Sequence, residues 1–151
     1  MTGYIEVAGL RMWHEVSGEG DPLVLLHGGF VGASSFFAQV PALVEAGYRV
    51  HVPDHFSVVH AKMMHMIATE PEIALDTLAD ITAPTLVLQG DRDEVTVEHS
   101  LAVVAALPEA RLAVLPGTHT LPLEHPELVN PLVLSFLRGA DPAPDWNAFT
   151  D

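Results

Sequence analysis

Four apolar residues in a row, Leu23-Val24-Leu25-Leu26, stop at His27-Gly28-Gly29-Phe30, and this junction constrains the chain more than any other stretch. An apolar run bounded by Asp21-Pro22 on one side and a glycine pair on the other reads as a short strand buried on both faces, the kind found inside a parallel sheet. Glycines there let the backbone turn sharply and leave its amides uncovered. That suits a loop that directs N–H groups at an anion, or at a carbonyl oxygen developing negative charge.

The flanking sequence supplies the partners such a strand needs. Tyr4–Ala8 and Leu10–Val16 read as two strands joined at Gly9, an antiparallel hairpin at the sheet edge. Phe36, Phe37, Val40, Leu43 and Val44 recur at helical spacing, which predicts a helix over Phe36–Glu45 with Ser34 or Ser35 as its cap and Gly47 at its end. Tyr48–Val52 is then a strand closed by Pro53-Asp54, completing a right-handed βαβ unit. His55–Ala68 predicts a Met-rich helix, apolar around most of its circumference, that Pro71 breaks before a short piece at Leu75–Ile81. Thr85–Gln89 and Arg111–Leu115 read as further parallel strands with a helix over His99–Leu107 between them, and Pro126-Glu127 opens a last helix that Gly139 ends. The expected fold is one α/β domain over residues 1–139, a mostly parallel sheet of about six strands with helices on both faces. A Pro- and Asp-rich tail, 140–151, follows.

Composition narrows the partners. Six basic residues against twenty acidic ones give a formal charge of −14, so nucleic acid and anionic membrane are repelled, leaving a small-molecule substrate or ligand as the expected partner. With no cysteine in the chain, a disulfide framework, a thiolate nucleophile and a cysteine metal site are all excluded. His51, His55, His60 and His65 fall on no single face, so neither a metal nor any other cofactor is expected. No run reaches the ~18 apolar residues of a membrane span, and the first residues lack a basic stretch followed by an apolar one, so the chain is expected to be soluble and cytoplasmic.

Three predicted strand ends carry chemically suggestive loops: His27-Gly28-Gly29-Phe30, Gly90-Asp91-Arg92-Asp93 and Gly117-Thr118-His119. In an open parallel sheet, ligands bind outside the carboxyl ends of the strands, where these loops converge. An Asp at one strand end and a His at the next fit the orienting pair of a hydrolytic triad, Asp93 fixing the imidazole and His119 exchanging the proton.

Taken together, Leu23–Phe30, Tyr48–Asp54, Thr85–Val95 and Ala113–His119 resemble the α/β-hydrolases, in particular their esterase, epoxide-hydrolase and dehalogenase-like branch. The resemblance implies that Gly29 or Phe30 offers an oxyanion-hole amide, that Asp93 is the triad acid, with Asp91 as the competing acid, and that His119 is the triad base. It also exposes a departure. The family carries its nucleophile in a G-x-S-x-G elbow between the Pro53-Asp54 strand and the Thr85 strand. This chain has no G-x-S-x-G, and no glycine at all between Gly47 and Gly90.

Ser34, Ser35 and Ser57 are the nearby hydroxyls, and none sits on a glycine-flanked turn. The chain is therefore expected to be an abbreviated hydrolase, by descent directed at small ester, amide or epoxide substrates and impaired in catalysis. Its rivals are a non-catalytic remnant that binds a small molecule or a protein, and an incomplete or engineered deletion product. Direct pairing of the Leu23 strand with the Thr85 strand is expected, together with self-association, because the Met-rich helix has lost its usual cover.

Overall fold

The computed structural model describes residues 2–7, 9–28, 31–54, 69 and 73–139. The Met-rich stretch His55–Ala68, the amides of Gly29 and Phe30, Ser57 and the tail 140–151 lie outside these residues.

Strands β1 (Thr2–Val7) and β2 (Leu10–Ser17) form the expected hairpin, with Val7 opposite Leu10. Gly9 turns at φ 78°, a left-handed conformation that side chains resist. β2 pairs antiparallel with β4 (Tyr48–Asp54), and β4 pairs parallel with β3 (Asp21–Val24), giving the order β1-β2-β4-β3. β5 (Thr85–Gly90) and β6 (Ala110–Leu115) pair parallel in a sheet of their own. The α/β class and six strands are as expected, but among the described residues the strands divide into sheets of four and two. The expected pairing of the Leu23 strand with the Thr85 strand is not made. Among the described residues β3 has β4 as its strand neighbour and β5 has β6, and no described backbone bond joins the halves.

Side chains join them. The segment after β3 begins as a 3-10 turn, Ala33–Phe36, and becomes helix α1 at Gln39–Glu45, later than the apolar spacing suggests. The delay has a local cause: the Ser35 hydroxyl bonds back to the Gly32 carbonyl at 2.8 Å instead of capping the helix. Helix α2 (Val97–Ala106) is capped by Thr96, whose hydroxyl accepts the His99 N–H, and it packs against β6. A single turn α3 (Leu121–Glu124) and helix α4 (Pro126–Leu137) close the chain. Leu43 of α1 meets Val50 and Val52 of β4 in the core, and Leu134 of α4 packs onto the same cluster. Gln39, buried in α1, donates its amide to the Pro122 carbonyl at 2.8 Å and to Asn130 Oδ1 at 3.2 Å. Asn130 returns a bond to the Ala38 carbonyl at 3.0 Å.

Gln39→Ala removes this clasp and leaves the Pro122 carbonyl and the Asn130 oxygen without their donor. It is expected to cost about 1–3 kcal/mol in urea unfolding, whereas Ser34→Ala, at an exposed position, stays within about 0.5 kcal/mol of the parent.

β2 and β4 are also bridged by an imidazole pair, His14 Nε2 to His51 Nδ1 at 3.1 Å with the rings stacked. One proton serves that bond, because two protonated rings would set N–H against N–H. Burial, then the neighbouring His14 and then Arg49 hold His51 below its ordinary value of 6.5, so the folded state favours the neutral ring. The stabilisation is complete above pH 6.5 and is lost as pH falls below that value. Urea midpoints taken from pH 8 down to pH 5 should therefore decline more steeply in the parent chain than in His51→Gln.

Candidate functional site

The loops after β5 and β6 are locked together before any functional side chain is considered. Asp91 N–H donates to the Leu115 carbonyl at 2.8 Å, Arg92 N–H to the Gly117 carbonyl at 3.0 Å, and the Asp91 carboxylate accepts the Gly117 N–H at 3.0 Å. Gly90 lies so close to Gly117 that a β-carbon there would collide with the Gly117 carbonyl. The two proposed acids thus have separate positions: Asp91 pins the backbone of the second loop, while Asp93 reaches the imidazole. Asp93 Oδ1 accepts the Val95 N–H at 2.9 Å and lies 3.0 Å from His119 Nδ1.

A carboxylate accepts only, so His119 Nδ1 carries the proton and Nε2 presents a lone pair. The Asp93 side chain is 8% exposed and that of His119 is 67% exposed. The acid is therefore sheltered and the base open to solvent. Burial pushes the Asp93 carboxyl up, but the Val95 N–H and His119 outweigh it and hold the group below its ordinary value of 3.8. The hydrogen bond to Asp93, and then the charge of that carboxylate, raise His119 above 6.5. On the far side of the loop Glu124 accepts the Thr118 N–H at 2.8 Å and the Thr118 hydroxyl at 2.7 Å, fixing the approach to His119.

His119 stands at a cavity of about 320 Å³ lined by Leu26, Gly28, Val31, Phe36, Pro122 and Leu123. The structure therefore brings the end of β3 and the Asp93–His119 pair to one largely apolar hollow, with Gly28 as the described part of the glycine loop. Ser35 also lines it, but its hydroxyl is given to the Gly32 carbonyl rather than to His119. Ser34, in the same Ala33–Phe36 turn, is exposed.

The loop itself is braced by a residue that the sequence presents only as the end of a strand. Asp54 Oδ2 accepts the Ala33 N–H at 2.9 Å, and its Oδ1 stands 3.7 Å from His27 Nε2. Gly32 passes so close that a β-carbon would come to 2.9 Å of that carboxylate. A Pro-Asp at a strand end gives no sign that it will reach 21 residues back along the chain.

No protein-family model matches the chain, and no curated protein matches it in sequence. Its structure, by contrast, is similar to many solved ones. An esterase from Exiguobacterium antarcticum superimposes with a TM-score of 0.80 at 16% identity, the match covering 91% of this chain and 100% of that one. A meta-cleavage product hydrolase from Pseudomonas fluorescens IP01, solved as a mutant complexed with acetates, gives 0.74 at 14% identity over 92% and 98% of the two chains. The carboxylesterase CesB from Bacillus subtilis gives 0.74 at 13% identity over 93% and 92%. The fold is that of the α/β-hydrolases, in an abbreviated form.

The Asp93–His119 bond has a direct spectroscopic consequence. In an NMR titration the His119 ring should titrate above 6.5 in the parent chain and at a lower pH in Asp93→Asn, which lacks both the charge and the ionic acceptor. The stability that the raised His119 supplies is present below pH 6.5 and disappears as pH rises through its folded midpoint. The Asp93 contribution is present above pH 3.8 and disappears as pH falls.

Proposed function

We propose that this chain is a hydrolase-derived protein that receives small, largely apolar ester-, amide- or epoxide-type molecules in the hollow beside His119, and that it retains the acid–base half of a triad without its nucleophile. The observation that carries this reading is the Asp93–His119 hydrogen bond at 3.0 Å on the rim of an apolar cavity that also touches Gly28. In this arrangement His119 Nε2 takes a proton from a water molecule near a polarised carbonyl. Asp93 holds the ring in the right tautomer and balances the imidazolium that forms. Gly29 and Phe30, next in sequence to the cavity-lining Gly28, are the proposed oxyanion donors, acting as the carbonyl oxygen gains charge.

Without a serine elbow there is no covalent intermediate. In a serine protease, loss of the nucleophile alone costs on the order of 10⁶ in kcat, leaving the help of binding and oxyanion donors. The proposed output is therefore slow, histidine-assisted hydrolysis or simple binding of the same molecules.

With p-nitrophenyl acetate the chain should give no stoichiometric burst, and any slow release of p-nitrophenol should rise as His119 deprotonates and vanish in His119→Ala. A fluorophosphonate probe should leave the chain unlabelled. A full-amplitude burst that survives His119→Ala would place the chemistry elsewhere and defeat this reading.

A further inference from the structure

Where helix α1 begins, the four-stranded sheet keeps a second hollow that the hydrolytic reading does not use. Alternate residues of a strand share a face, and so do residues directly paired across strands. Trp13 and Glu15 of β2 stand opposite Asp54 and Val52 of β4, so these four side chains lie on the face that α1 covers through Leu43. Phe37 and Val40 wall the other side, and about 450 Å³ remains between them. Among the described residues only Phe36 lines both this cavity and the hollow beside His119. The two spaces are therefore separate.

The walls of this cavity combine aromatic rings with negative charge. Trp13 is 38% exposed and Phe37 66%, so both rings can be reached from solvent. Asp54 is already fixed by the Ala33 N–H. Glu15 is half-buried, and among the described residues its carboxylate makes neither a hydrogen bond nor an ion pair. A glutamate withdrawn from water is ordinarily paired. No described Lys, Arg or His lines the cavity, which leaves two carboxylates there without a cation in the wall.

The rings select the kind of cation that fits. A metal ion needs several donor atoms around it, and no group of three side chains able to ligate one gathers among the described residues. An alkylated ammonium ion instead lies against an aromatic face, its charge balanced by a nearby carboxylate. The adjoining surface already holds a cation in this way: Trp13 meets Tyr4 edge-on, with centroids 5.3 Å apart, and the Arg11 guanidinium carbon stands 4.3 Å from the centre of the Tyr4 ring.

We propose that this cavity is a binding site for a small organic cation, an alkylated ammonium ion whose methyl groups meet Trp13 and Phe37 and whose charge is balanced by Glu15, with Asp54 adding to the field. The inference does not depend on what the site beside His119 does.

Choline titrated into the full chain tests it, read by calorimetry and by the indole N–H signals in NMR spectra. Neohexanol, its uncharged carbon isostere, serves as the control for shape. Saturable binding of choline is expected, shifting the Trp13 signal, which Trp13→Leu identifies against that of Trp146. Affinity should fall about fivefold or more for neohexanol, for Glu15→Gln and for Trp13→Leu. Glu15→Gln keeps the size of the side chain, so it remains informative even where the loss of Trp13 disturbs folding. Glu98→Gln removes an exposed carboxylate of α2 and should leave the affinity unchanged, separating a built site from the general pull of a chain that carries −14. An absence of saturable binding in the millimolar range overturns the proposal. So does equal affinity for neohexanol, or a loss in Glu98→Gln that matches the loss in Glu15→Gln.

Discussion

The amide of Gln39 holds the architecture together at its weakest place. No described backbone ladder joins the four-stranded sheet to the β5–β6 pair, so the two meet through helices, with Leu134 of α4 on the Leu43–Val50–Val52 cluster and the Gln39–Asn130 bonds beside it. Apolar contact supplies attraction without direction. The paired amides supply direction, because bonds from Gln39 to Pro122 and from Asn130 to Ala38 are satisfied together in one register. Gln39 Oε1 is itself buried without a partner among the described residues, a desolvation cost accepted beside two donated bonds. The placement of Gly28 opposite His119 follows from this register, since one belongs to each half.

Within the site, rigidity and exposure are divided between the two members of the acid–base pair. Asp93 is sheltered, fixed by the Val95 amide, and stands on a loop that Asp91 ties to its neighbour. His119 projects from that support into solvent. An imidazole so placed is oriented but not dried, and its field is weakened by the water around it. On the proposed function, a small apolar molecule that filled the hollow would displace that water and strengthen the same interaction.

Much of this was legible in the sequence, and the parts that were not share one physical character. Apolar runs punctuated by Gly and Pro marked all six strands, and the Asp93–His119 pairing followed from the order of the strand ends, because local pattern and topology both act on short stretches. What escaped was long-range and polar. The Asp54 brace on Ala33, the Gln39 clasp and the His14–His51 pair each link residues 21 to 92 positions apart through single side-chain bonds, and no periodicity encodes such a meeting. The division of the strands into two sheets was missed for a related reason: a strand's apolar pattern shows that it is buried, not which strand lies beside it.

Gly90 shows how the locked loops limit change in this molecule. Its α-carbon lies against the backbone of Gly117 and Thr118 rather than against movable side chains, so no choice of rotamer could make room for a larger residue. Position 90 is therefore closed even to alanine, the smallest step available, although Gly90 itself touches neither the cavity nor the imidazole. A drift in sequence that reached it would separate β5 from the loop after β6 and move Asp93 away from His119. Variation in the acid–base geometry can thus enter through the exposed rim around His119, but not through the strand end beneath it.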